Sequence, residues 1–200
     1  LNLFASESIK ELFDTYLANV ADSDFILDIL SSELGKQNIH YMLAFLDEEN
    51  SSLKLNYISM SKKDLAFIDT LIRGRAIGAS FQKKHVPFWD EIIKNKKSKI
   101  IEDSFQIALE GIASVSKIPS QRIESGLRTI FKQAGSNNVS IWHPLIEKGQ
   151  VAGVIMFWGN HLRIEDSSAL AILTNQIASA LENAKLYEKE QQRTQELEIS

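Results

Sequence analysis

One stretch of the sequence, residues 138–187, constrains the fold most, because a predicted β-hairpin there runs directly into a long helix. Apolar residues alternate with their neighbours along 139–146 and again along 151–158, and four turn-forming residues separate the two segments. In the second segment both alternating sets are largely apolar, so neither face of that strand can lie in water. The sequence therefore predicts a central hairpin in a sheet that is covered on both faces.

The residues after this hairpin predict one long helix. Asp166 can cap its start, and neither Gly nor Pro interrupts residues 164–200. Its apolar stripe recurs at three- and four-residue steps through Leu170, Leu173, Ile177, Leu181, Ala184 and Tyr187. Such a helix is roughly 50 Å long, more than the width of a small domain, so its C-terminal half must project from the body.

Shorter elements are predicted before the central hairpin. Amphipathic patterns predict two helices, at 9–20 and 24–34, followed by a first hairpin at 39–46 and 53–60. The segment between the two hairpins is predicted to be mainly helical, with helices at 61–72, 88–94, 105–114 and 119–131 and a short strand at 98–103.

The central hairpin and the long helix carry a family resemblance. The run His-Pro-Leu-Ile at 143–146, Val-Ala-Gly-Val-Ile at 151–155 and Ala-Ser-Ala-Leu-Glu-Asn-Ala-Lys-Leu-Tyr at 178–187 resembles the end of a GAF domain, of the kind found in bacterial sensor histidine kinases. The resemblance is specific over 139–190 and looser over 9–103. It implies an α/β (α+β) fold, a GAF/PAS-like three-layer α/β/α sandwich. A central, mostly antiparallel sheet would carry the terminal helices on one face and a helical roof on the other, and the last helix would be a long signalling helix.

Length and composition favour one sensory domain within a longer protein. The 200 residues suit a single domain with an extension, which we place at 1–187, N-terminal helices included. Residues 188–200, rich in Glu, Gln, Lys and Arg, would begin a coiled-coil linker to an output domain outside this sequence, and the initial Leu also indicates an excised piece. No stretch predicts a membrane span. The net charge of -4, with scattered Lys and Arg, argues against nucleic acid as a partner.

The sequence predicts no catalytic residues and no metal site in this piece. It contains no Cys, which excludes disulfides, thiolate metal sites, Cys nucleophiles and a thioether-linked bilin. The four His residues lack ligand spacing, and the set Ser80, His85 and Asp90 lacks a nucleophile-elbow motif. A haem with one axial His, at His143 or His85, is the remaining cofactor option, and we do not expect it. The identity of any cofactor is left unknown.

The GAF resemblance implies where a ligand would bind. The face of the hairpin away from the terminal helices would carry four binding residues, with two more at the rim: Ser140, Trp142, Met156 and Trp158, then Asp103 and Phe105. Aromatic and thioether side chains suit a flat or apolar small molecule, although the same residues could simply fill a core. The run after Asn160 departs from the signature of GAF domains that bind cyclic nucleotides, which puts that ligand in doubt.

These observations lead to a sensory function. We expect a small-molecule-sensing GAF module of a cytoplasmic bacterial signalling protein, a two-component sensor histidine kinase, which forms a homodimer through its terminal helices. Two alternatives stay open: the output domain in the same chain could be a diguanylate cyclase or an activator of transcription, or the module could be a dimerisation scaffold without a ligand.

Overall fold

Helices and strands follow one another in nearly the predicted order. A computed structural model describes residues 23–47, 49, 51–86, 88–133 and 138–199, so the helix predicted at 9–20 lies outside the described residues. The strands are β1 (Ile39–Leu46), β2 (Ser52–Ile58), β3 (Ser80–Gln82), β4 (Lys99–Ile101), β5 (Ser140–Glu147) and β6 (Gln150–Gly159). The α-helices are α1 (Ser23–Gly35), α2 (Lys62–Ile72), α3 (Trp89–Asn95), α4 (Ser104–Val115), α5 (Ser120–Gln133) and α6 (Ser167–Ile199).

The six strands form one sheet in the order β3-β2-β1-β6-β5-β4, and each described pairing is antiparallel. Strand β6 lies between β1 and β5, which confirms the predicted central hairpin. Its turn residues Lys148 and Gly149 both have positive φ, 49° and 78°. This is the backbone that a two-residue turn needs to match the twist of its strands.

Helices cover both faces of the sheet. Against one face lie α1 and α6, with a core that includes Ile26, Leu30, Tyr41, Phe157, Leu173 and Ile177, each at most 1% exposed. Against the other lie α2 to α5, with two further clusters around Trp89 and around Leu127. The predicted three-layer α/β/α sandwich is therefore confirmed.

The C-terminal helix α6 is long and projects, as the apolar stripe predicts. It contains 33 residues, about 50 Å at 1.5 Å per residue. A separate 3-10 turn, Ile164–Asp166, precedes it, and the Asp166 carboxylate accepts a hydrogen bond from the Arg163 amide at 2.9 Å. Beyond Ala184, which is fully buried, Leu186 is already 57% exposed. None of the described helices combines the length and the apolar character that a membrane crossing requires.

The sequence did not reveal the edge strand β3. Only three residues long, it pairs Phe81 with Leu53 of β2. The preceding turn is held by two backbone hydrogen bonds, from Gly78 N to Leu55 O at 2.7 Å and from Leu55 N to Ala79 O at 2.9 Å. A segment of three residues is too short to show a periodicity in the sequence. It is a strand because it pairs with β2.

His143 is a polar side chain on the face that α6 covers. It is 2% exposed, its ring centroid lies 6.1 Å from that of Phe157, and its Nε2 has no hydrogen-bond partner among the described residues. Burial disfavours the charged imidazolium and lowers the pKa of His143 from 6.5 to about 4. The folded protein therefore holds this ring neutral.

Acidification should destabilise the fold through His143. The His143 ring takes up a proton near pH 6.5 in the unfolded chain but only near pH 4 in the folded chain. The folded state therefore keeps its full free energy of unfolding above pH 6.5. It loses the His143 contribution as the pH falls from about 6.5 to about 4. The loss attributable to His143 is about 3 kcal/mol. Urea denaturation at a series of pH values across this window measures the free energy of unfolding.

A His143→Leu variant provides the comparison, since leucine cannot take up a proton. Its free energy of unfolding should fall less than that of the wild type over the same window, by roughly the His143 contribution. His161 is exposed, so His161→Gln should behave like the wild type. Equal pH dependence in the wild type and in His143→Leu would contradict the assignment.

Candidate functional site

A cavity of about 170 Å³ lies between the sheet and the helices α2, α4 and α5, on the face away from α6. Four of the six predicted site residues line it: Ser140, Trp142, Met156 and Trp158. The register of the central hairpin brings them together, because Ser140 pairs with Trp158 and Trp142 with Met156. Directly paired residues of antiparallel strands project from the same face, so alternation and register together assemble this wall.

Small residues in the surrounding elements leave the space open. Ala44 on β1 and Ala108 and Gly111 on α4 line the cavity, opposite larger side chains from α2 and α5. A Cβ at Gly111 would meet only the Phe81 ring, at 3.7 Å. The short side chains at Ala108 and Gly111 thus contribute to the open space, beside the larger Ile107 and Ile112 of the same helix.

One end of the cavity is polar. The Ser140 hydroxyl oxygen accepts a hydrogen bond from the Ser104 hydroxyl at 2.8 Å and another from the Trp142 indole Nε1 at 3.0 Å. All three residues are at least nine-tenths buried. No Lys, Arg, His, Asp or Glu is among the described residues that line the cavity, so its electrostatics rest on these uncharged groups.

Aromatic neighbours hold both tryptophan walls in place. The Trp142 ring lies edge-on to Phe88 with ring centroids 5.1 Å apart, and Trp158 stacks on His40 at 5.8 Å. The His40 Nδ1 is in turn 2.9 Å from the carbonyl oxygen of Ser59. Such edge and stacked pairs restrict ring orientation, so the two indoles form rigid parts of the wall.

The methionines form the adaptable part of the wall. The chain contains three, Met42, Met60 and Met156, and all three line the cavity. Methionine has several rotatable bonds and a polarisable sulfur, which lets it reshape around a guest. The sequence predicted only Met156 at this site, because Met42 and Met60 lie on strand β1 and just after β2, whose positions beside the hairpin depend on sheet order.

Asp103 and Phe105, predicted at the rim, lie outside the cavity wall. Asp103 caps α4, where its carboxylate accepts a hydrogen bond from the Gln106 amide at 3.2 Å. The Phe105 ring lies edge-on to the Phe131 ring, with centroids 5.3 Å apart, and Phe131 does line the cavity. The Arg128 guanidinium lies 4.6 Å from the centroid of the Phe105 ring. Both residues support the roof rather than face the void.

Asn138 is a supporting residue that the sequence analysis missed. Its carbonyl oxygen accepts from the Ser104 amide at 3.0 Å, and its side-chain oxygen accepts from the Phe105 amide at 2.8 Å. Its side-chain nitrogen also donates to Asp103 at 3.3 Å. These bonds join the start of α4 to the entry of β5 and so set Ser104 against Ser140. A lone Asn before a strand carries no signal of such a role.

The candidate catalytic and metal residues are not gathered into a site. His143 faces the α6 side of the sheet, opposite the cavity, and His85 lies in the 3-10 turn Lys83–His85. Within the described ranges, no three His, Asp or Glu side chains lie in an arrangement that could hold a metal ion. The groups that line the cavity can contact a guest through shape and hydrogen bonds.

Comparison with known proteins identifies the fold. No family model matches the sequence, and no curated protein matches it. Among solved structures, the GAF domain of a phosphoenolpyruvate-protein phosphotransferase from Coxiella burnetii has a TM-score of 0.58 at 11% identity, covering 94% of this chain and 99% of that chain. The phycoerythrobilin-bound GAF domain of a cyanobacterial phytochrome has a TM-score of 0.58 at 14% identity, covering 94% and 98%.

A third solved structure, residues 122 to 287 of a methyl-accepting chemotaxis protein, has a TM-score of 0.56 at 14% identity, with 93% of this chain and 99% of that chain covered. Identities this low show the fold alone. The chain has the fold of GAF domains.

Removal of the α4 cap should destabilise the protein. Asp103→Ala leaves the Gln106 amide without its acceptor and should lower the free energy of unfolding by about 1 kcal/mol, measurable by urea denaturation. Asp103→Asn keeps a capping oxygen and should lie within a few tenths of the wild-type value. A loss as large in Asp103→Asn as in Asp103→Ala would show that the charge, not the cap, stabilises this position.

Proposed function

We propose that the chain is the small-molecule-sensing and dimerising GAF module of a cytoplasmic bacterial signalling protein. A two-component sensor histidine kinase is the parent protein that we favour. The single observation that carries this proposal is the apolar cavity of about 170 Å³ between the sheet and its helical roof. A ligand in this cavity would bias the conformation of the module, and the projecting helix α6 would pass that bias to an output domain.

The size of the cavity favours a binding site over ordinary core packing. Protein interiors are close-packed, with few voids larger than a water molecule. An empty apolar cavity destabilises a fold, because the atoms that line it lack contacts on one side. A bound molecule would supply those contacts.

The hairpin offers a short physical route from the cavity to α6. Along β5, Trp142 faces the cavity, whereas its neighbours Ile141 and His143 lie on the face that α6 covers. A shift of β5 therefore moves both surfaces. Near the end of the packed part of α6, the Lys185 ammonium lies 4.4 Å from the Phe45 ring centroid and 3.1 Å from a Glu147 carboxylate oxygen.

The exposed end of α6 supports dimerisation and a following domain. Leu186 and Tyr187 are each 57% exposed, and Leu197 is 69% exposed. Apolar side chains on a projecting helix are stabilised when a second helix covers them. We therefore propose residues 1–187 as the sensing domain and 188–200 as the start of a parallel coiled coil that leads to the output domain.

The names of the structural neighbours support a signalling role. They include a chemotaxis protein and a phytochrome, and the phytochrome GAF domain holds phycoerythrobilin. This chain has no Cys, so a bilin could not be attached through a thioether. We do not propose haem, and the ligand in our proposal is noncovalent.

Native mass spectrometry of the purified protein tests whether the cavity holds a ligand. We expect a dimer that carries an extra mass under gentle conditions and loses it on denaturation. Ala108→Leu extends a side chain from α4 into the cavity, so it should abolish the extra mass. Ala66→Leu, the same change at an exposed position of α2, should leave the extra mass in place.

Thermal unfolding of the same proteins separates a sensor from a scaffold. In ligand-free protein, Ala108→Leu should raise the free energy of unfolding by up to about 2 kcal/mol, because three added carbons fill apolar space. A dimer with no extra mass, together with this stabilisation, would favour the ligand-free scaffold. A monomer at all concentrations would remove the dimerising part of the proposal.

A further inference from the structure

From the hydrogen bonds and size of the cavity, we infer that its ligand is an uncharged, single-ring molecule with one hydrogen-bond acceptor, and that this acceptor binds the Ser140 hydroxyl. This inference rests on the proposed function, because it takes the cavity as the ligand site. It adds the chemical class of the ligand, which the proposed function leaves open.

The volume of the cavity sets the size of the guest. An engineered protein cavity of about 150 Å³, lined by apolar side chains, stays dry and binds benzene. The cavity here, at about 170 Å³, offers room for one ring with a small substituent. A nucleotide or a tetrapyrrole has several times as many atoms and would require the roof to move away from the sheet.

The lining of the cavity sets the charge of the guest. Among the described residues that form it, the polar side chains are Ser104, Ser140 and the two tryptophans, and the rest are hydrocarbon or thioether. A buried charge without a partner is costly. A phosphate or carboxylate ligand would meet no cation here, so the guest is neutral.

The hydrogen bonds of Ser140 set the polar group of the guest. A serine hydroxyl has one proton to donate and two lone pairs to accept with. Both acceptor positions of Ser140 are taken, by the Ser104 hydroxyl at 2.8 Å and by the Trp142 indole at 3.0 Å. The Ser140 proton thus remains for a ligand oxygen, such as that of a ketone, an aldehyde or an ether.

The position of the Ser104 proton decides this assignment. The Ser104 hydroxyl also lies 3.4 Å from the Ile101 carbonyl oxygen, but its bond to Ser140, at 2.8 Å, is the shorter and stronger of the two. With the proton on the shorter bond, the cavity presents a donor to its guest. In the reverse arrangement the cavity would present an acceptor.

The walls favour an aromatic ring over an open chain. Trp142 and Trp158 contribute aromatic surface to the wall, and the three methionines can place sulfur near the edge of a guest ring. Both contacts are stronger for aromatic than for aliphatic guests. A single aromatic ring with a carbonyl substituent satisfies the size, the charge and the hydrogen bond together.

Three probes of nearly equal shape test the inference. Acetophenone has the acceptor, α-methylstyrene replaces the carbonyl oxygen by a methylene group, and benzoate carries a charge. Each is titrated into the purified protein while the indole N–H signal of Trp142 is followed by NMR, assigned with Trp142→Phe. We expect acetophenone to bind about three- to tenfold more tightly than α-methylstyrene, as one neutral hydrogen bond provides, and benzoate to bind much more weakly than either.

Two serine variants show which hydroxyl donates. Ser140→Ala should remove the preference for acetophenone, whereas Ser104→Ala should keep it, because Ser140 retains its proton. If Ser140→Ala does not fold, Ser140→Cys fills the same space with a weaker donor and should reduce the preference. An equal preference in the wild type and in the Ser140 variants would overturn the assignment.

The outcomes also separate this inference from the proposed function. Tighter binding of benzoate, or equal binding of acetophenone and α-methylstyrene, would overturn the ligand class while the cavity remained a binding site. No binding of any probe, in a protein whose native mass includes a different ligand, would overturn only the class. No binding and no extra native mass would overturn both.

Discussion

The structure depends on the burial of both faces of the central hairpin. Alternation along β5 places Ile141 and His143 towards α6 and Trp142 towards the cavity, and neither set could remain in water. The two helical layers therefore share the same strand as a common wall. Because successive side chains of a strand point to opposite faces, a shift of β5 would move side chains in both helical layers.

The two faces are packed to different densities. On the α6 face, the core side chains are at most 8% exposed, and Tyr41 is anchored there by a hydrogen bond from its hydroxyl to the Leu27 carbonyl oxygen at 2.7 Å. Next to it, Tyr57 donates to the Asp28 carboxylate at 2.9 Å, which ties α1 to the sheet. On the other face a void remains under the roof. The two layers therefore differ, because one is filled by buried side chains and the other contains the cavity.

Much of the fold follows from local patterns in the sequence. Period-two alternation predicted the hairpin, period-3.6 stripes predicted α1, α2, α5 and α6 to within a few residues, and the absence of Gly and Pro predicted the length of α6. The edge strand β3 escaped prediction because three residues have no period. The strand predicted at 98–103 ends at Ile101, because the Asp103 side chain caps α4.

The sequence by itself determined which residues of the central hairpin share a face. Alternation put Ser140 with Trp142 and Met156 with Trp158, the GAF resemblance implied that their face would bind a ligand, and their chemistry indicated a flat or apolar guest. Only the tertiary structure decided that Met42 and Met60 complete the wall and that Asp103 and Phe105 support the roof. It also decided that Ser104 and Trp142 occupy both acceptor positions of the Ser140 hydroxyl. Those contacts join residues far apart in the chain, and they depend on strand order and helix placement, which no local periodicity encodes.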